Sequence, residues 1–227
     1  MLQLKHRYIA VGTEQARSFG GSQMLSASQT MREVGCGVIA ALDLLLYLCR
    51  FHKDCSGAFF AEAAADGVID RVEYDALAQK LSRCYFPIIP KLGVNGLMLA
   101  AGLNLFFRRY AFPFHAAWGL GSRHLFESIE SQLAQDLPVI LSIGPNFPLV
   151  WKKDALCLYA AASAGETKSV CTVRAHYVTV TGIDEKWLYI SSWGRAYRID
   201  REEYLAYIRR SSGSIVSNIV RLRRVEK

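Results

Sequence analysis

Gly35-Cys36-Gly37-Val38-Ile39-Ala40-Ala41-Leu42-Asp43-Leu44-Leu45-Leu46-Tyr47-Leu48 decides the fold. From Gly37 onward this run is apolar almost all the way round a helical wheel, and Asp43 is its only charge. A helix without a polar face has to be enclosed by other elements on every side. The segment therefore predicts a central buried helix, and it sets a cysteine flanked by two glycines at that helix's N-terminal end.

Working outward, Asp70 with Glu73 three residues on makes a capping-box pattern ahead of Tyr74, Leu77 and Leu81, which predicts a second helix. A third is expected over Gly96 to Arg108 and a fourth from about Ser122 to Gln135. From Leu137 the period shortens. LPVILSI (137–143), HYVTVTGI (176–183), KWLYISS (186–192) and AYRI (196–199) have strand length and are rich in β-branched or aromatic residues, as one antiparallel sheet requires. A last helix is expected from Asp200, with a capping box to Glu203, and SIVSNIVRLRRV (214–225) is expected to supply a closing strand. Helices followed by strands define an α+β class, with a helical half over about 23–136 and a sheet half over about 137–227. No internal repeat or low-complexity segment interrupts the order.

With 227 residues and 52% apolar content, the chain can fill one domain, 1–227, of two packed halves, and no linker divides it. There is no window of about eighteen or more uncharged apolar residues, and the opening Met1 to Gln15 is too polar for a signal peptide, so no membrane span and a cytoplasmic location are expected. The six cysteines stand singly, without a CxxC pair, which argues for free thiols rather than a zinc site or a disulfide framework. The net charge of +7 is concentrated partly in Arg209-Arg210 and in Arg221-Leu222-Arg223-Arg224. These follow a helix or alternate along a strand and are read as solvated faces, so no nucleic-acid partner is expected.

A cysteine attacks well only as its thiolate. The unpaired amides and dipole of a helix N-terminus lower a thiol pKa and can hold an oxyanion. Cys36 has that address, and Gly35 and Gly37 are expected to let a substrate approach the backbone. The same position also suits a small core cysteine, so the partner decides. His176 opens a strand whose following residues alternate, and Gly182 leads into a second strand, Trp187 to Ser191, closed by Ser192-Trp193-Gly194. A hairpin brings the end of that strand back beside His176, where a polar side chain can orient the imidazole and Trp193 can shield it from water.

These elements together resemble the papain-like cysteine peptidases, and more closely their bacterial C39-like relatives. The shared pattern is Gln29, Gly35-Cys36-Gly37 on the long helix, PVILSI, His176-Tyr-Val-Thr-Val-Thr-Gly-Ile-Asp, and Ser-Trp-Gly, covering about 23–50 and 137–200. Cys36 precedes His176 by 140 positions, within the roughly 130–150 of the papain type. The resemblance implies a papain-like fold, Cys36 as nucleophile, His176 as general base and acid, Gln29 in the oxyanion hole, and Ser191, standing where relatives carry asparagine or aspartate, as orienter of the imidazole. It implies a peptide or amide substrate, an acyl-thioester intermediate, and neither cofactor nor metal. An amine acceptor in place of water makes the same site an acyltransferase, and the missing asparagine or aspartate leaves room for a catalytically inactive binding module.

Lys53-Asp54-Cys55-Ser56-Gly57 offers a rival nucleophile, because it resembles the Asp-Cys-Ser-Gly element of the NlpC/P60 endopeptidases, with His115 sixty positions on. Around His115 the sequence reads YAFPFHAAWGLG, with a proline and no clean strand, so Asp54 and Ser56 are read as turn residues. The aromatic-rich stretch Phe106 to Trp118 is expected to fill core rather than to line a cleft.

Overall fold

The computed structural model describes residues 1–55, 58–60, 67–121, 123–148, 151–160 and 169–225. The chain runs β1 (Leu2–Gln3), β2 (Ala10–Val11), α1 (Gln29–Val34), α2 (Cys36–Phe51), β3 (Val68–Ile69), α3 (Arg71–Cys84), α4 (Gly96–Arg109), β4 (Phe114–Trp118) and α5 (Leu125–Ala134). It continues through β5 (Val139–Ile143), β6 (Leu156–Ala160), β7 (Ser169–Val173), β8 (His176–Ile183), β9 (Trp187–Ser192), β10 (Arg195–Asp200), α6 (Arg201–Tyr207) and β11 (Val220–Arg224). The class is α+β.

Every residue of α2 from Gly37 to Leu48 is buried, Asp43 included, as its unbroken apolar surface requires. The helix lies on β8 and is covered on its other sides by α3, α4 and β5. Helix starts follow their caps. The Asp70 carboxylate accepts from the Val72 and Glu73 amides, Asp200 from those of Glu202 and Glu203, and Asn95 from Met98. α5 begins at Leu125; the expected start, Ser122, lies outside the described residues.

A seven-stranded antiparallel sheet has the order β1-β8-β9-β10-β6-β7, and β5 also pairs with β8. β5 lies along the first part of β8, with Ile143 opposite His176 and Val139 opposite Val180, and β1 continues along the last part, with Leu2 opposite Ile183. On the other side β9 sets Ser191 against Thr179, with a one-residue shift between Val180 and Gly182. The closing strand β11 does not extend this sheet. It pairs with β4, from Val220 opposite Trp118 to Arg224 opposite Phe114, and the residues just before it meet β5 of the large sheet through a bridge between Leu141 and Ile219 and a bond from the Ser142 amide to the Asn218 carbonyl. The segment around His115, expected to lack a strand, therefore forms one, because β11 supplies backbone partners beyond Pro113.

One hydrophobic cluster takes residues from both halves. Phe106, Phe107, Phe112 and Phe114 lie in it, Phe106 against Phe59, Tyr85 and Tyr110, whereas Trp118 borders a cleft. Among the described residues no helix is long and apolar enough to cross a membrane.

Candidate active site

Cys36 is the first residue of α2, capped by Gly35 without a side-chain bond, so the Cys36 and Gly37 amides stay free to face the thiol, while the Val38 amide already donates to the Gly35 carbonyl at 2.9 Å. Both flanking glycines are used by the protein's own packing rather than kept open for substrate. The space a Cβ needs at Gly35 is filled by Met31, whose carbonyl and sulfur close the junction between α1 and α2. At Gly37 the Tyr177 ring and Leu99 stand in ordinary to tight contact. Cys36 itself remains partly exposed.

His176 opens β8 and is 7% exposed. Its Nε2 lies 2.8 Å from Ser192 Oγ, and its ring stacks on Trp193 with centroids 4.4 Å apart and planes 23° apart. Ser191, the expected orienter, is not the partner: its hydroxyl donates to the Phe19 carbonyl at 2.7 Å. Successive strand residues point to opposite faces, and the register gives the imidazole to Ser192. Ala175, just before the histidine, and Trp193, in the tight turn between β9 and β10, both have φ of 49°. That left-handed conformation is uncommon for residues with a Cβ and collects at functional sites.

Cys36 and His176 share the walls of two spaces. One is a cleft of about 740 Å³ bordered by Ile89, Leu92, Val94 and Leu97 on the helical side and by Trp118 and Ile215 opposite. Leu92, Leu97 and Ile215 are 80%, 68% and 63% exposed, an amount of open apolar surface that suits a ligand. The other is a chamber of about 20 Å³ beneath the pair, where Asp43, Ser191 and Ser192 also meet. Gln23 lines both spaces. Gln29, expected in the oxyanion hole, begins α1, is exposed, and donates to Glu33 at 2.9 Å. The glutamine at the site is Gln23, which is 6% exposed and gives one amide hydrogen to the Arg32 carbonyl at 2.9 Å. The Gly20-Gly21 pair just before it was the available sequence signal for a close-packed loop.

Burial pushes the Cys36 thiol up from its ordinary value, against the pull of the Tyr177, Gly37 and Cys36 backbone amides. Burial likewise pushes the His176 imidazole down to about 4. Both shifts favour the neutral thiol and the neutral imidazole over a charged pair. The protein packs closely around both side chains, leaving Cys36 only partly exposed, and among the described residues no charged partner offsets either shift. Among the described residues no three His, Cys, Asp or Glu side chains are grouped to hold a metal ion.

The rival combination does not assemble. Cys55 is 0% exposed, with its thiol pushed up to about 12 by burial. His115 lies on the exposed side of β4, across from Arg223. Asp54 pairs with Arg224 at 2.7 Å, and Ser56 and Gly57 lie outside the described residues.

Comparison with protein-family models, with curated proteins and with solved structures finds no match to this chain.

Proposed function

We propose that the chain is a cysteine hydrolase of papain-like type, related in arrangement to the C39-like peptidases, that cleaves a peptide or amide bond through Cys36 and His176. The observation that carries this reading is the meeting of a helix-N-terminal thiol and a strand-opening imidazole at one apolar cleft. With Nε2–H donated to Ser192 Oγ, Nδ1 is left basic. It takes the thiol proton as sulfur attacks the substrate carbonyl. The tetrahedral oxyanion accepts from the Cys36 N–H and the free Gln23 amide hydrogen. The imidazolium protonates the departing amine, leaving an acyl thioester, and water then attacks with its proton passing to His176, which releases the acid and restores the thiol. The apolar walls favour a bulky uncharged group beside the scissile carbonyl. A second reading, a non-catalytic binding module, is favoured by the shifts toward a neutral pair.

Iodoacetamide labelling of each cysteine, followed by peptide mapping, separates the two. At neutral pH the labelling of Cys36 should depend on the imidazole, with His176→Ala slowing it about 100-fold, the lower end of general-base contributions, while the exposed Cys84 keeps its rate. Labelling of Cys36 unchanged in His176→Ala sinks the hydrolase and leaves the module.

A further inference from the structure

Asp43 is a carboxylate in the middle of the most apolar helix, 2% exposed. It stands seven residues after Cys36, two turns along the same face, so both border the chamber that His176 and Ser192 also line. Tyr74 donates to its Oδ1 at 2.6 Å, Tyr8 to its Oδ2 at 3.2 Å, and the Gly21 amide is shared between the two oxygens at 3.2 and 3.0 Å. A well-packed apolar side chain would burden the fold less than a buried charge. What the carboxylate does instead is hold a loop.

That loop, 19–23, is folded over the tip of the hairpin that serves the histidine. The Phe19 amide donates to the Gly194 carbonyl and the Gly194 amide to the Gly21 carbonyl, both at 2.9 Å, while Ser191 Oγ reaches the Phe19 carbonyl. Gly21 has no room for a side chain, since the Tyr74 hydroxyl occupies the place of its Cβ. Two residues on, the loop delivers Gln23. Every link from Asp43 to the imidazole is thus a backbone or side-chain contact: Asp43 to Gly21, Gly21 to Gly194, and the 191–194 turn to His176 through Ser192 and Trp193.

We propose that Asp43 is the positioning residue of the Cys36–His176 site: its ionised carboxylate fixes loop 19–23, which holds Ser192 and Trp193 against His176 and Gln23 beside Cys36. This role rests on reading the pair as a hydrolytic site, and it brings a carboxylate to the chamber from the helix, where the end of β9 offers Ser191 and Ser192. The groups facing Asp43 are Tyr8 from the N-terminal segment, Tyr74 from α3, Gly21 from the loop, Cys36 on its own helix, and Thr179, Ser191 and His176 from the sheet. Tyr8, Tyr74 and Gly21 all donate to it, so protonating the carboxyl takes a lone pair from one oxygen, ends the charge that all three bonds serve and weakens them. Burial raises that carboxyl to about 6, against hydrogen bonds from Tyr74, Gly21 and Tyr8, which sets the pH at which the loop loosens.

The test follows two readouts across pH in wild type, Asp43→Asn and Tyr74→Phe: amide hydrogen exchange of 19–23 and 191–194, and the iodoacetamide rate at Cys36. Wild type should lose loop protection and Cys36 reactivity together as pH falls through about 6. Asp43→Asn should show no such step and exchange about tenfold faster throughout, the effect of one lost hydrogen bond to a charged group. Tyr74→Phe removes a donor that favours the ionised form, so its step should move to higher pH; this variant keeps the test alive if Asp43→Asn does not fold. A step that survives in Asp43→Asn, or wild-type protection and reactivity with no step, overturns the proposal. An inert wild-type Cys36 brings down the hydrolytic reading separately, while a loop step that depends on Asp43 still upholds the anchor.

Discussion

Cys36 and Cys55 stand at the two ends of one helix, the first opening α2 and the second in the short turn Lys53–Cys55 that follows it. At the N-terminal end free amides point toward the sulfur, and the Tyr177 amide joins them from the sheet. At the C-terminal end the exposed helix groups are carbonyls, which disfavour a thiolate. Access differs in the same sense: Cys36 borders a cleft, whereas Cys55 is sealed with its thiol near 12. The histidines repeat the contrast, His176 turned inward at the start of β8 and His115 outward on β4. Residue type made both pairs candidates; the helix end and the strand face separate them.

The largest effect that can break this comparison comes from deleting each sulfur. Cys36→Ala should lower hydrolysis of a peptide amide with a bulky apolar residue by about 10⁴-fold or more, the scale of removing a nucleophile. Cys55→Ala should leave turnover within about twofold and lower stability by about 1 kcal/mol in urea unfolding, since only a small buried group is lost. Turnover abolished by Cys55→Ala and kept by Cys36→Ala would reverse the assignment of the two ends.

How far these features were legible in the sequence follows from what fixes each of them. α2 has no polar face to mislead, and Asp70 and Asp200 cap their helices through local bonds that any tertiary setting preserves. β4 was missed because Phe114-His115-Ala116-Ala117-Trp118 has weak strand propensity and is held by β11, about a hundred residues later. β6 and β7, absent from the expected strands, are likewise fixed by their pairing, with β6 between β10 and β7. At the site, Cys36 and His176 were readable because each begins an element. Gln23 was not, because the resemblance points to the nearer Gln29, which α1 carries away from the site, and Gln23 lies before that helix. Ser192 was taken for a neighbour of the orienting residue because one step along a strand changes the face it serves.

That one-step difference is the basis of a second, smaller test. Ser192→Ala removes the hydroxyl at His176 Nε2 and should lower kcat/KM about tenfold, one hydrogen bond to a group that becomes charged during the reaction. Ser191→Ala loses only the bond to the Phe19 carbonyl. It should cost about 1 kcal/mol of stability and leave the pH profile of turnover in place. Equal losses of kcat/KM in the two variants would mean that the imidazole is oriented by the turn as a whole and not by Ser192.

The smallest effect is a near-cancellation that belongs to the Cys36 side of α2. His176 titrates at about 4 in the fold and at 6.5 in its reference state, so between those values the unfolded chain binds the extra proton and stability falls as pH is lowered. Asp43 titrates at about 6 in the fold against 3.8, so there the folded chain binds the extra proton and stability rises as pH is lowered. Each shift corresponds to about 3 kcal/mol at most, and the opposite signs should leave the wild type changing by no more than about 1 kcal/mol from these two groups between pH 6.5 and 4. Urea unfolding across that window separates the arms: His176→Asn should gain stability toward acid and Asp43→Asn should lose it. A wild-type profile unaltered by either variant would mean that the chamber beneath Cys36 is open enough to water for both groups to keep their ordinary titration, and the contrast between the two ends of α2 would then rest on geometry and not on burial.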